Sequence, residues 1–193
     1  MIELVYPLDP APLIGPEADA SEIVPVVDEN GLVIGRASRE HCHAGAETAE
    51  NGAPLHPVVH LQIIDRYSRF FLQHRSANKE TFPNRWDTAV GGHVAYGEYY
   101  QEALFREAGE ELGLFDFNPQ YLDNYIAENE GDREMVGLYI TIGTFDLHPD
   151  NYEVSEGRYW TIEEIESNLG KDVFTPEFEN EYQTYKEKIL ALL

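Results

Sequence analysis

Residues 91–114 read GGHVAYGEYYQEALFREAGEELGL. The segment from Glu98 to Leu112 predicts a helix, and Gly113 suits the left-handed position that ends one. At 100° per residue, Gln101, Phe105, Ala108 and Leu112 fall within about 60° of one another, with Leu104 at the edge, a stripe expected to pack on a sheet. Glu107, Glu110 and Glu111 fall on a different face at i, i+3 and i+4. Like charges at that spacing cost roughly 0.2–0.5 kcal/mol per pair. Carboxylates in a last turn also meet the negative end of the helix dipole, for roughly 0.3–1 kcal/mol more. A divalent cation among them reverses both signs, and hard oxygen ligands suit Mg²⁺ or Mn²⁺. Arg106 on the flank can orient a glutamate by a charge-assisted hydrogen bond. The competing interpretation is a solvated acidic face.

Outward from the helix, strands are predicted in VVHLQII (58–64) and RFFLQHR (69–75), which should pair antiparallel, and around Trp86–Val90. More are predicted near 121–126, 135–145 and 152–160. Thr161 to Glu164 has the form of a capping box, and Thr175-Pro176 opens a last helix with proline at its favoured first position. Upstream, SEIVPVV and LVIGR flank Asp28-Glu29-Asn30-Gly31 as a hairpin would, and the polar stretch 38–54 predicts a short helix and a loop. Residues 1–21 are proline-rich and read as an arm. Strands interleaved with helices describe an α/β domain with a mixed sheet. The expected division is an arm and hairpin over residues 1–55 and one catalytic domain over 56–193.

The chain has 13 Lys+Arg against 36 Asp+Glu, a net charge of −23, which argues against nucleic acid or anionic membrane as partner. Within that field, residues 66–85 gather Arg66, Arg69, Arg75, Lys79 and Arg85 against Glu80 alone. Arg75, Lys79 and Arg85 are therefore candidate phosphate contacts, with scattered surface charge as the alternative. No apolar run is long enough to span a membrane, and MIELVYPLDP lacks the form of a secretory leader. The single Cys42 excludes an internal disulfide; it fits a reducing compartment, and a cytoplasmic location is expected.

Residues 92–114 resemble the Nudix box, G-x5-E-x7-R-E-U-x-E-E-x-G-U with U apolar. Gly92, Glu98, Arg106, Glu107, Ala108, Glu110, Glu111, Gly113 and Leu114 meet it without a gap. The resemblance implies a Nudix α/β/α sandwich and a metal-dependent hydrolase of small diphosphate substrates. It implies Glu107 and Glu111 as principal ligands of Mg²⁺ or Mn²⁺. Glu110 would be a further ligand, the Gly92 carbonyl another, and Glu98 a support for the helix start and the outer coordination sphere. One of these glutamates, or Glu134, Glu153 or Glu156 from later segments, would take the proton of the attacking water.

The upstream segments VVDENGLVIGRASREHCH, PLHPVVHLQII, FLQHRS and FPNRWDTAVGGHV resemble the branch containing isopentenyl diphosphate isomerase. That resemblance implies a second divalent metal held by His41 or His43, with His56, His93 and Glu134. It also implies a catalytic cysteine two residues before His93, where this chain has Gly91. Without the thiol the acid–base pair of an allylic proton shift is incomplete, so hydrolysis is the expected chemistry. Isomerase activity and a non-catalytic ligand sensor are the alternatives. Cys42 is expected to be structural. Trp86, Phe82, Tyr96 and Tyr99 are aromatic candidates for stacking on the organic part of the substrate. A homodimer exchanging the N-terminal hairpin is left open beside a monomer.

Overall fold

The computed structural model describes residues 1–16, 22–43, 52–79, 81–129, 131–150 and 152–193. Most of the loop predicted after the first short helix, and Glu80 of the basic segment, lie outside the described residues. In chain order the elements are β1 (Ile23–Val27), β2 (Val33–Ser38), α1 (Arg39–His43), β3 (His56–Ile64), β4 (Phe70–Arg75), β5 (Trp86–Asp87), β6 (Val90–His93), α2 (Tyr100–Leu112), β7 (Gln120–Asn129), β8 (Asp132–Ile142), β9 (Val154–Trp160), α3 (Ile162–Asn168) and α4 (Pro176–Leu190). β1 and β2 form a hairpin; the main sheet runs β5-β4-β3-β8-β7, with β6 on β3 and β9 on β4. This is the expected α/β class. The strand predicted around Trp86–Val90 is two short strands, β5 and β6.

The chain divides into two compact units. The first comprises Met1–Val59, Gly92–Leu104 and Asp123–Leu138. Its hairpin pairs Ile23 with Ser38 and turns where Asp28 Oδ1 accepts from the N–H groups of Asn30 and Leu32, both at 2.9 Å. Gly31 sits there at φ +84°, a conformation costly for other residues. The N-terminal arm lies along this hairpin: the Val5 N–H donates to the Gly31 carbonyl and the Ile14 N–H to that of Arg36. Val24, Val26, Ala37 and Cys42 pack together in a small core with Ile14 against it. Cys42 is fully buried, and burial, then the charge of Asp132, pushes its thiol up to about 12. That environment fits a structural residue rather than a nucleophile.

The second unit comprises His60–Gly91, Phe105–Leu122 and Tyr139–Leu193. β4 pairs antiparallel with β9 from Phe70↔Trp160, with β5 at Gln73↔Asp87, and with the end of β3 at Ile63↔Phe71. The predicted capping box is present: the Thr161 hydroxyl accepts from the Glu164 N–H, and the Glu164 carboxylate from the Thr161 N–H. Thr175 caps α4 through the Phe178 N–H, and its hydroxyl also donates to Asp87 Oδ1 at 2.7 Å in a buried site. Thr175→Ala removes the cap and strips a buried carboxylate of a donor, so a loss of about 1–3 kcal/mol in urea-denaturation stability is expected.

The apolar stripe of α2 is centred differently from the sequence expectation. Ala103, Leu104, Ala108 and Leu112 are buried, together with Glu111, whereas Gln101 and Phe105 are exposed. The buried arc admits a carboxylate because that carboxylate finds polar partners, and Phe105 instead packs on Phe117, ring centres 4.6 Å apart.

Candidate active site and metal centres

The glutamate site lies in the second unit. Glu111 is 4% exposed at the end of α2. Its Oε2 accepts from the Gly91 N–H at 3.1 Å and from the Gln73 amide at 3.2 Å. Burial, then the charge of Glu107, pushes its carboxyl up to about 8; Glu153 raises it further, while Lys79 and the Gly91 N–H act the other way. Arg106 donates to Glu107 Oε1 at 2.6 Å and to Glu110 Oε2 at 3.3 Å. Glu110 is largely exposed. The later carboxylate Glu153 is held by its backbone: Asp150 accepts from its N–H, and its carbonyl accepts from the Ser76 N–H at 3.0 Å. Its side chain forms an ion pair with Lys79. Glu107 and Glu153 lie near enough to raise the Glu111 carboxyl and Lys79 near enough to lower it. Carboxylate oxygens are the ligands a hard divalent cation takes, although these carboxylates do not stand as close together as the ligand atoms of the histidine cluster in the first unit.

The three basic candidates separate. Arg75 spends its guanidinium on Asp87 Oδ2 at 3.0 Å and on the Thr81 carbonyl, and Arg85 on Asp172 and the Phe174 carbonyl. Both clamp loops. Lys79 faces the glutamates. Glu156 is exposed on β9, opposite His74 in register.

In the first unit a second cluster forms. His43 from α1, His56 from β3, His93 from β6 and Glu134 from β8 bring ligand atoms within 4.8 Å of one another. His43 joins the cluster; His41 does not, its ring lying against Gly15. His56 is fully buried, and burial holds its pKa down to about 4, so the imidazole is neutral. Its Nδ1 lies 3.1 Å from the Pro54 carbonyl, which fixes the proton there and leaves a lone pair on Nε2. That Nε2 is buried without a hydrogen-bond partner, and so is Asp132 Oδ1, 3.8 Å away. The other Asp132 oxygen takes the His43 Nδ1 proton at 2.8 Å, aiming His43 Nε2 into the cluster, 2.9 Å from His93 Nε2. Orphaned buried atoms, a neutral imidazole and a carboxylate behind a second histidine fit a transition-metal or zinc ligand set.

Glu98, also in the first unit, accepts from the Ala95 N–H at 3.0 Å and so closes the turn before α2; its carbonyl takes the Tyr6 hydroxyl at 2.8 Å. The observed helix begins at Tyr100, two residues later than predicted. Gly92 stands in β6, one residue beyond the Gly91 amide that holds Glu111. Sequence reasoning missed Gln73 and Asp132. A glutamine inside the apolar strand FFLQ was a usable signal for the first; for the second, the signal was an acid two residues before Glu134 on the same strand face.

The family pattern described as NUDIX domain matches residues 54–178. An uncharacterized Nudix hydrolase of Streptomyces coelicolor, SCO1686, is 32% identical over 162 residues, covering 83% of this chain and 86% of that protein. An isopentenyl-diphosphate Delta-isomerase of Mycolicibacterium vanbaalenii is 29% identical over 150 residues, covering 73% and 78%. The crystal structure of DR0079 from Deinococcus radiodurans has the same fold, with a TM-score of 0.70 at 22% identity over 84% of this chain and 98% of that one. With the whole box in place and the match extending over most of its length, this chain belongs to the Nudix family.

Proposed function

We propose that the protein is a metal-dependent hydrolase that cleaves the diphosphate linkage of a nucleoside- or other organyl-diphosphate. The observation that carries this reading is Glu111: a buried carboxylate at the end of α2, held on the Gly91 N–H and the Gln73 amide, and raised to about 8 by burial and by Glu107 and Glu153, so that added positive charge favours its ionisation. A bound Mg²⁺ or Mn²⁺ supplies neutralisation of the diphosphate oxygens and acidifies water. Glu107 and Glu111 would hold that ion, with Glu110 as a further ligand from the exposed side, and Arg106 orients Glu107. Glu153, fixed by Asp150 and partly exposed, takes the proton of the attacking water as the P–O bond to the leaving phosphate breaks. The histidine cluster with Glu134 holds a second divalent ion.

Isomerase chemistry is the second reading, since some relatives carry that name. Gly91 speaks against it. A β-carbon there would meet only His60 and Thr88, the nearest atoms being His60 Cδ2 at 3.4 Å and Nε2 at 3.5 Å. The His60 Nδ1 is bound to the buried Glu181 carboxylate at 2.6 Å, and Gln62 donates to its other oxygen at 2.5 Å. An imidazole on a buried carboxylate stands before a bare backbone, where the isomerase resemblance calls for a thiol.

Incubation with Mg²⁺ and ADP-ribose, dinucleoside polyphosphates or isopentenyl diphosphate decides among the readings. Phosphate-containing fragments from one of the first two are expected. Dimethylallyl diphosphate as the product would overturn the proposal in favour of isomerisation, and tight binding without turnover in favour of a sensor.

A further inference from the structure

We infer that Lys79 is an internal counter-cation: it occupies the glutamate site before a divalent ion arrives, and transfers to the substrate's phosphate once the ion has taken the carboxylates. The inference rests on the metal-hydrolase reading and adds a positioning residue to it.

Four observations carry it. The Lys79 ammonium pairs with Glu153, a carboxylate near enough to act on Glu111. Its side chain is only 18% exposed, although it sits in a loop of a protein with a net charge of −23. Its backbone is anchored, with the Lys79 N–H on the Ser76 carbonyl at 3.2 Å and the Ser76 N–H on that of Glu153 at 3.0 Å, so the two segments stay together if the side chain moves. The neighbouring cations are committed elsewhere: Arg75 makes four contacts with Asp87 and Thr81, and Arg85 is tied to Asp172 and Phe174. Lys79 alone among them has its charge directed at the glutamates, near enough to counter part of the effect that Glu107 and Glu153 have on Glu111.

The chemistry favours exchange over a permanent bridge. A lysine ammonium is a point charge on a flexible four-carbon stem, able to turn from one anion to another without a fixed fork geometry. When Glu107 and Glu111 face a divalent ion, a monovalent charge beside them is repelled. The nearest new anion is then the incoming diphosphate. Until that moment Lys79 keeps a buried acidic site from standing uncompensated.

The test is the binding of Mn²⁺ alone, measured by calorimetry and electron paramagnetic resonance, to wild type, Lys79→Met, Lys79→Arg and Glu111→Gln. Methylenediphosphonate, a non-hydrolysable diphosphate, is then titrated at saturating Mn²⁺. Lys79→Met is expected to bind Mn²⁺ about tenfold more tightly and methylenediphosphonate about tenfold more weakly. Lys79→Arg, which keeps the charge, should bind Mn²⁺ within about twofold of wild type; retained circular dichroism in each variant sets misfolding apart. A merely structural lysine would weaken both ligands or neither. If Lys79→Met leaves Mn²⁺ affinity unchanged or lower while Glu111→Gln abolishes it, the counter-cation role falls and the hydrolase reading stands. Tighter Mn²⁺ with unchanged methylenediphosphonate overturns the transfer to phosphate. Should Glu111→Gln bind Mn²⁺ as wild type does, both fall.

Discussion

Glu111→Gln is expected to lower diphosphate hydrolysis on the order of 10²–10³-fold and, in the presence of a chelator at pH 8, to raise the thermal midpoint. The two effects have one cause. Glutamine keeps the shape and can still accept from the Gly91 N–H or the Gln73 amide, so the fold survives. What it loses is the charge that binds the metal, and in the metal-free protein that charge is a burden. The folded-state pKa of Glu111, about 8, lies above the value of 4.5 for an unperturbed glutamate. The stability contributed by its protonated form is therefore fully present below about 4.5 and lost as pH rises through about 8. Each tenfold change in proton affinity is worth roughly 1.4 kcal/mol. Ionisation therefore costs the folded state at most about 5 kcal/mol, equivalent to roughly 10–20 °C for a chain of this length. Scanning calorimetry in chelator should show the variant above wild type at pH 8, the gap narrowing toward pH 5, where wild type is itself protonated. Saturating Mg²⁺ should lift wild type and leave the variant unmoved. A variant less stable than wild type in chelator at pH 8 would mean that Glu111 holds the fold rather than the ion.

How far the sequence reveals such a residue follows from what its periodicity encodes. Helix spacing placed Glu107, Glu110 and Glu111 on neighbouring turns, and the cost of like charges pointed to a cation. It could not tell that Glu111 is buried while Glu110 is exposed, because the expected apolar stripe takes in Gln101 and Phe105, which are exposed, and leaves Leu104, which is buried, at its edge. The arc that packs is decided by the sheet beneath, and Phe117, distant from any helical pattern, draws Phe105 aside. Caps were the most legible features. Thr161, Thr175-Pro176 and Gly31 cap or turn the chain through residues two to four positions away, so these local roles are written in the local sequence, whereas the bond from Thr175 to Asp87 is not. The opposite case is the pairing of Lys79 with Glu153 or of His60 with Glu181, where the partners are separated by 74 and 121 residues. Charge counting found the basic segment 66–85 but could not separate Arg75 and Arg85, which clamp loops, from Lys79, which does not. The choice between His41 and His43 was likewise beyond spacing. It turns on which face of the short α1 meets Asp132, a residue almost ninety positions on.

The histidine cluster carries the other large expected effect. Purified protein should contain close to one equivalent of a transition metal or zinc per chain, and stripping it with a strong chelator should lower the thermal midpoint on the order of 10 °C. Binding at 1,000 times the dissociation constant stabilises a fold by about 4 kcal/mol, and a chain of this size shifts by about 2–4 °C per kcal/mol. The effect is large because the unliganded cluster is poorly satisfied: His56 Nε2 and Asp132 Oδ1 are buried without hydrogen-bond partners. The His43 and His93 Nε2 atoms meet at 2.9 Å, where one ring donates its proton to the other, and a metal taking both lone pairs would displace that proton. A cation held by the three imidazoles and Glu134 would give the His56 lone pair its partner. His93→Ala and Glu134→Gln should each abolish the bound equivalent and remove the response of the midpoint to Zn²⁺ or Mn²⁺ added after chelation. Glu111→Gln should retain the equivalent, since its hydrogen bonds to Gln73 and Gly91 do not involve the cluster. If the protein is isolated without metal, and reconstitution with Zn²⁺, Mn²⁺ or Co²⁺ leaves the midpoint where it was, the four side chains converge for packing alone. His56 must then be held by the Pro54 carbonyl and its fully buried surroundings.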